Sequence, residues 1–480
     1  MSILWKRCAF FNALGGSGIN PLHEDITGIS IDTRTLKRGD AFFAIRGHRF
    51  DGHDFAPEAA EKGASVIIIA KDNIRTLQKI SVPLVIVDNV LSALSRLATA
   101  ARARCRARII AVTGSVGKTT TKEAIRHAFS CIGRVHANAA SFNNHWGVPI
   151  TLACMPADTH FGVFEIGMNH KNEIRSLVKL VAPDVVVITR IGAAHLEHFN
   201  SIEAIATAKA EIFEGVLLGG TALLNADDPL FSYMEKKAYA AGITHVVSYG
   251  EAIRADYRLL DVQLHEDYAC FQANLGRKKT MIRRSAPGYH MVQNMLAVLG
   301  IADVLNIDIE RIALALQDFR PVNGRGARYR LALPSGGTFL LIDESYNANP
   351  VSMQAGLSLL GKSSTGDSGR RIAVLGDMLE LGRLSREAHE NLAGPVRDSG
   401  IQIAFLGGHA MKYLADILHD DLQVYYREVA SDLLPLLLDH LHAGDAVMVK
   451  SSNGVGFSHI VTALLERYRP IADKNLGFSL

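Results

Sequence analysis

Val112-Thr-Gly-Ser-Val-Gly-Lys-Thr-Thr120 decides the fold of this chain. The apolar run Ile109-Ile-Ala-Val112 leads into it, and a helical pattern leads out from about Thr119. Strand, glycine-bearing loop and helix in that order form the setting of a phosphate-binding loop. Gly114 and Gly117 let backbone N–H groups approach an anion, and the helix start adds its positive dipole end. Lys118 is placed to reach the β- and γ-phosphates of a nucleotide, and Thr119 to ligate Mg²⁺. Thr113, Ser115, Val116 and Thr120 complete the expected ATP-binding loop. Val112 stands where the fuller G-x-x-x-x-G-K-[ST] pattern has its first glycine, so the flanking strand and helix carry the reading.

Working outward, 163–166, 185–188 and 221–224 are further short β-branched strands separated by helical stretches. That alternation predicts a doubly wound, mostly parallel sheet. Upstream, 64–70 and 84–87 read as strands and 91–106 as a helix; downstream, 340–342, 372–375, 404–406 and 446–449 alternate with helices again. The expected fold is α/β in three domains: an N-terminal one over 1–106, the central P-loop domain over 107–318, and a Rossmann-like C-terminal one over 319–480. The Pro/Gly-bearing stretch 319–325 suits a hinge.

Composition limits the function. The 480 residues are 48% hydrophobic and 21% charged, which excludes a disordered or collagen-like chain. A net charge of +3 lacks a nucleic-acid footprint. Arg102, Arg104, Arg106 and Arg108 lack interleaved aromatics and read as a solvated helix end and linker. Five scattered cysteines without C-x-x-C spacing give neither a disulfide framework nor a zinc site, and fit the cytoplasm. No apolar run approaches the ~18 residues of a spanning helix, so no membrane insertion is expected. The segment after Lys6-Arg7 reads as an amphipathic element, not a signal peptide.

A P-loop names no reaction; a nucleotide switch or an ATPase would carry one too. Glu165 ends a strand and His195 follows the next, both on the edge where parallel sheets bind ligands. Each has a bland alternative, as a strand-end acid and a loop histidine. Lys209, inside the helical stretch 201–212, reads from spacing alone as a surface lysine near glutamates.

Taken together, distant segments give more. The chain resembles the Mur ligases, ATP-dependent amide-forming enzymes of peptidoglycan precursor synthesis. Beside the P-loop, the resemblance is carried by Asn143-Asn-His-Trp-Gly-Val-Pro149, Ala208-Lys-Ala-Glu211, Gly288-Tyr-His-Met-Val-Gln-Asn294, Tyr346-Asn-Ala-Asn-Pro-Val-Ser-Met353 and Gly376-Asp-Met-Leu-Glu-Leu-Gly382. The last two strings point to the member that adds D-alanyl-D-alanine to UDP-N-acetylmuramoyl-tripeptide. They speak against sister ligases and folylpolyglutamate-type enzymes, which add single amino acids.

The resemblance implies two Mg²⁺ sites, with Thr119 and Glu165 at one and His195 at the second. It implies that Lys209 is carbamylated. It places Asn294 at the adenine, Asp343 at the ribose and Arg325 at the γ-phosphate. Ser30, Thr33, Arg34, Asn143 and Asn144 fall to the UDP-substrate, and Tyr346, Asn347, Asn349 and Lys450 to the dipeptide. An ion pair of Arg34 with Asp32 or Asp40 competes with its ligand role. A monomer is expected. Ser451 replaces a family glycine and would be strained if the backbone there takes positive φ.

Overall fold

Val185–Ile188 and Phe161–Glu165 are buried at every position, the pattern of strands covered on both faces of a parallel sheet. The computed structural model describes residues 2–19, 23–47, 49–77, 80–139, 142–194, 196–266, 268–276 and 278–471. Their strands form three sheets, of five, nine and six strands.

In the nine-stranded sheet Arg108–Thr113 lies between Phe161–Glu165 and Val185–Ile188, parallel to both. Val135–Ala137 extends one side; Thr221–Asn225 and His245–Gly250 extend the other. The chain thus leaves Arg108–Thr113 in both directions, creating the topological switch point where open α/β sheets bind ligands at their carboxyl edge. Beyond His245–Gly250 the sheet turns antiparallel through Tyr257–Leu264, Ala269–Leu275 and Lys278–Ser285. Helices Lys118–Phe129 and Tyr289–Val304 cover one face; twelve of the latter's sixteen residues are buried, so it forms the spine of that core.

The five-stranded sheet runs Ser17–Ile19, Leu84–Val87, Val66–Ala70, Asp40–Phe43, Gly28–Ser30, with only Ser17–Ile19 antiparallel. Helix Val90–Arg104, capped by the Asn89 side chain, ties it to the central sheet, since its apolar residues enter both cores. Of the arginine cluster, Arg106 and Arg108 are exposed, as expected of a solvated helix end and linker, but Arg102 and Arg104 stitch the two units together. Arg104 donates to the carbonyls of Leu4 and Met155 and lies 3.4 Å above the Trp5 ring; Arg102 donates to Val181 and Ala182. In the six-stranded sheet Ala446–Lys450 sits between Thr338–Glu344 and Arg371–Gly376, all parallel. No helix among the described residues is long and apolar enough to cross a membrane.

Candidate active site

The carboxyl edge of the central sheet faces that of the C-terminal sheet across a cavity of about 540 Å³. Its central wall is the P-loop. Gly117 takes φ +90 as the N-cap of Lys118–Phe129 and a Cβ there would lie 2.8 Å from the Asn294 amide oxygen. A Cβ on Gly114 would lie 2.1 Å from Thr189 Oγ1. Both positions therefore need glycine. Ser115, Val116, Lys118 and Thr120 line the cavity, while Thr113 is buried beneath it, its hydroxyl donating to the Ile166 carbonyl.

Two lysines meet on one acceptor. Lys118 Nζ lies 2.8 Å and Lys209 Nζ 3.0 Å from the Gly114 carbonyl oxygen. Lys209 is 1% exposed, so the surface reading of its spacing is overturned: the short helix Ile202–Ala210 turns it inward. Burial first, and then the Lys118 charge, hold its pKa well below the usual lysine value, with Glu165 opposing. Lys118 is also lowered, by burial above all and by Arg325, again against Glu165.

Glu165 is the counter-charge, fixed at every polar atom. Thr119 Oγ1 donates to its carboxylate at 2.6 Å and Asn143 Nδ2 at 2.8 Å. Asn138, at the end of the edge strand Val135–Ala137, accepts from the Glu165 N–H and donates to its carbonyl and to that of Phe142. Sequence reading missed Asn138, although the strand-end rule that found Glu165 applies to it equally. His195 lies outside the described residues.

The C-terminal wall carries Arg325, Tyr346, Asn347, Asn349 and Lys450. The Arg325 guanidinium stacks 4.1 Å from the Tyr346 ring centre. Lys450, 1% exposed, is already spoken for: it donates to Glu344 at 3.2 Å and to the Asn347 carbonyl at 3.0 Å. That ion pair was not foreseen, its partners being 106 residues apart.

Several of the expected residues are engaged locally in the structure. Asp343 does not reach the wall; its carboxylate accepts from Gly324 N–H, Ser345 N–H and Ser345 Oγ, shaping the turn that presents Arg325. The Asn349 side chain caps helix Pro350–Gly361 in a capping box with Ser352. The Asn144 side chain likewise accepts from Gly147 N–H at the start of Gly147–Ala153. Arg34 is held bidentate by Asp32, with Oδ2 at 2.6 Å from Nη2, the ion pair that competed with its ligand role; it lies with Thr33 in the turn after strand Gly28–Ser30, away from the cavity. Ser451 is not among the positive-φ residues, so it carries no such strain.

Among the described residues no three His, Cys, Asp or Glu side chains form a metal cage. A single carboxylate with a hydroxyl, Glu165 and Thr119, beside a phosphate cradle is the donor set that suits Mg²⁺, which binds through few protein oxygens and keeps phosphate and water ligands.

Comparisons with known proteins agree with this architecture. Family descriptions match in three consecutive blocks: "Mur ligase family, catalytic domain" over residues 25–102, "Mur ligase middle domain" over 112–302, and "Mur ligase, glutamate ligase domain" over 330–453. The UDP-N-acetylmuramoyl-tripeptide–D-alanyl-D-alanine ligase of Rickettsia prowazekii is 34% identical, covering 96% of this chain and 99% of its own. The Bacillus subtilis enzyme of that name is 34% identical, over 94% and 96%. A crystal structure of MurF from Acinetobacter baumannii superposes with a TM-score of 0.83 at 27% identity, covering 96% and 99%. With the phosphate cradle at the switch point, the two converging lysines and relatives matched over nearly their whole length, the chain belongs to the Mur ligase family.

Proposed function

We propose that this chain joins D-alanyl-D-alanine to the terminal carboxylate of UDP-N-acetylmuramoyl-tripeptide, at the expense of ATP, in peptidoglycan precursor synthesis. The observation that carries the reading is the meeting of Lys118, Lys209, Thr119–Glu165 and Arg325 on one cavity between two sheets.

A carboxylate is a poor acyl donor because oxide cannot leave, so it must first be phosphorylated. The tripeptide carboxylate attacks the γ-phosphorus of ATP, the bond to the β–γ bridging oxygen breaks, and an acyl-phosphate and ADP result. The dipeptide amine then adds to the acyl carbon, and the tetrahedral intermediate expels inorganic phosphate. The first step brings two anions together, so its barrier is electrostatic. Lys118 swings from the Gly114 carbonyl to the transferring phosphoryl group, and Arg325, held flat by Tyr346, meets the same group from the other wall. Asn294 abuts the loop where the adenine end of the nucleotide enters, and Asn143 faces the acyl substrate. Asn347 and the Lys450–Glu344 pair lie on the dipeptide side. The UDP end extends toward the first sheet, where Ser30, Thr33 and Arg34 stand.

Glu165 and Thr119 would hold Mg²⁺, which when bound neutralises charge on the β- and γ-phosphates. Lys209 as an amine offers donors only and cannot ligate a cation. Its low pKa favours the neutral amine, the form that adds to CO₂ with loss of a proton, and the resulting carbamate supplies anionic oxygen. His195 would join it in holding a second Mg²⁺. The enzyme acts as a monomer in the cytoplasm.

The test is phosphate release in the purified protein. It requires ATP, UDP-N-acetylmuramoyl-tripeptide and D-alanyl-D-alanine together. Equal release with D-alanine in place of the dipeptide would assign the chain to a single-amino-acid ligase, and release without any acceptor would make it an ATPase.

A further inference from the structure

Lys122 has 0% exposure, and the chemistry above makes no use of it. It follows Lys118 by one turn of helix Lys118–Phe129, on the same face by helical period, but it lies behind the cavity wall that Lys118 lines. A lysine placed there is costly unless it is paired. Among its contacts, Nζ lies 2.8 Å from Glu123 Oε1 and donates to the Asn138 carbonyl at 2.7 Å. Arg126 also pairs with Glu123, at 2.6 Å. Burial pushes the Glu123 carboxyl up, but Lys122 and Arg126 outweigh it and hold it below its usual value. Since Arg126 already faces that carboxylate, neutralising it does not by itself account for Lys122.

The Asn138 end of the contact does. Val135–Ala137 pairs with Phe161–Glu165 only as far as Ala137 opposite Val163. Beyond that point the Asn138 side chain takes over from the strand. Its Oδ1 accepts from the Glu165 N–H at 2.8 Å and its Nδ2 donates to the Glu165 carbonyl at 2.8 Å. The carboxamide thus stands in for a peptide group and carries the ladder on to the residue that bears the carboxylate. Nδ2 also donates to the Phe142 carbonyl at 2.8 Å, next to Asn143, which in turn donates to Glu165 Oε1. Asn138 is 1% exposed and, like Lys122, is not on the cavity wall. One helix therefore grips Glu165 twice: directly through Thr119, and one turn on through Lys122 and Asn138.

We propose that Lys122 is a positioning residue for the metal-holding carboxylate: it fixes the Asn138 clamp on Glu165, and so sets how tightly Glu165 and Thr119 hold a divalent cation. The inference rests on the reading of those two residues as Mg²⁺ ligands. Groups that orient a ligating carboxylate in this way are worth about 10–100-fold in metal affinity.

Mn²⁺ is the probe, because it accepts the same oxygen ligands and its free ion is counted by paramagnetic resonance. In the full-length protein saturated with ADP, Lys122→Met and Asn138→Ala should each weaken Mn²⁺ binding by about 10–100-fold. Affinity for ADP in EDTA should stay at the wild-type value, since neither side chain reaches the cavity. The double variant should bind Mn²⁺ no more weakly than the weaker single one, because the two residues act in series. Lys122→Met leaves Glu123 with Arg126 alone; where that impairs folding, Lys122→Met/Glu123→Gln removes the stranded charge and carries the same expectation.

Wild-type Mn²⁺ affinity in the folded Lys122 and Asn138 variants would overturn the proposal. An equal loss of ADP affinity with and without metal would do so too, since it would make Lys122 a support of the helix as a whole. Losses that add in the double variant would break the series. No muramoyl peptide or dipeptide enters the measurement. If wild-type turnover on those substrates fails while the Mn²⁺ contrast persists, the substrate reading falls and the positioning role stands.

Discussion

At the scale of single residues, the shared carbonyl of Gly114 is where the charge problem of this molecule is concentrated. Two lysine nitrogens approach it and one carboxylate, Glu165, offsets them. Such an arrangement is costly unless anions arrive. Lys118→Ala removes the cation that follows the transferring phosphoryl group, so kcat should fall by about 10²–10³-fold, the scale of losing one transition-state partner. Thermal melting should be unchanged or slightly raised, because a buried charge is removed with it. Lys209→Ala should be comparably inactive and should regain part of its turnover with small carboxylates in solution, which replace the oxygen ligand and not the amine. An intact-mass measurement of bicarbonate-equilibrated, metal-bound protein that found only free amine would leave Lys209 as a plain ammonium. The P-loop was legible because its parts are consecutive. Asn138 and the Lys450–Glu344 pair were not, because their partners lie 27 and 106 residues away and no local pattern records such a meeting. Asp343, Asn144 and Asn349 illustrate the converse: their side chains reach the nearby backbone N–H groups of Ser345, Gly147 and Ser352, and short polar side chains beside turns and helix starts do this readily.

At the scale of elements, the buried strands of the parallel sheets were legible as short apolar runs, whereas Gly28–Ser30 is too short to show any period. The antiparallel strands 257–285 escaped because a bulge at Leu259/Asp261 breaks their alternation. One element makes a pH prediction. His389 sits at 0% exposure in Ser385–Glu390, faced by the Ser385 carbonyl, the Met378 N–H and the Asp377 carboxylate at 4.0 Å. Burial pulls its pKa below 6.5, against the opposing pull of Ser385 and Asp377. In the folded chain it therefore stays neutral where the unfolded chain binds a proton. Stability should be full above pH ~6.5 and decline as pH falls below it. In His389→Gln that part of the acid sensitivity should vanish, with the melting temperature running flatter between about pH 6.5 and 5. Parallel pH profiles for the two proteins would show that His389 does not couple to folding.

At the scale of the whole molecule, the three sheets are not joined equally. The first and central sheets share helix Val90–Arg104, and Trp5 is 2% exposed between them, its indole N–H on the Ala153 carbonyl and its face under Arg104. Replacing Trp5 with alanine should cost about 3–5 kcal/mol, as for other large buried aromatics. The C-terminal sheet, by contrast, meets the rest across the cavity, with the Leu196 turn and a part-exposed Arg330–Glu266 pair at 3.6 Å, which adds little, among its contacts. Unfolding should therefore occur in two steps. The chain supplies a built-in reporter, because both of its tryptophans, Trp5 and Trp146, lie outside the C-terminal unit. In urea, tryptophan emission should follow only the first two sheets, while far-ultraviolet circular dichroism follows all three, and the two curves should not superimpose. An ATP analogue with the UDP-tripeptide binds across the cavity and so stabilises only molecules in which both walls are folded. Adding both should draw the two curves together, and superimposable curves without ligand would mean that the cavity walls already unfold as one cooperative body.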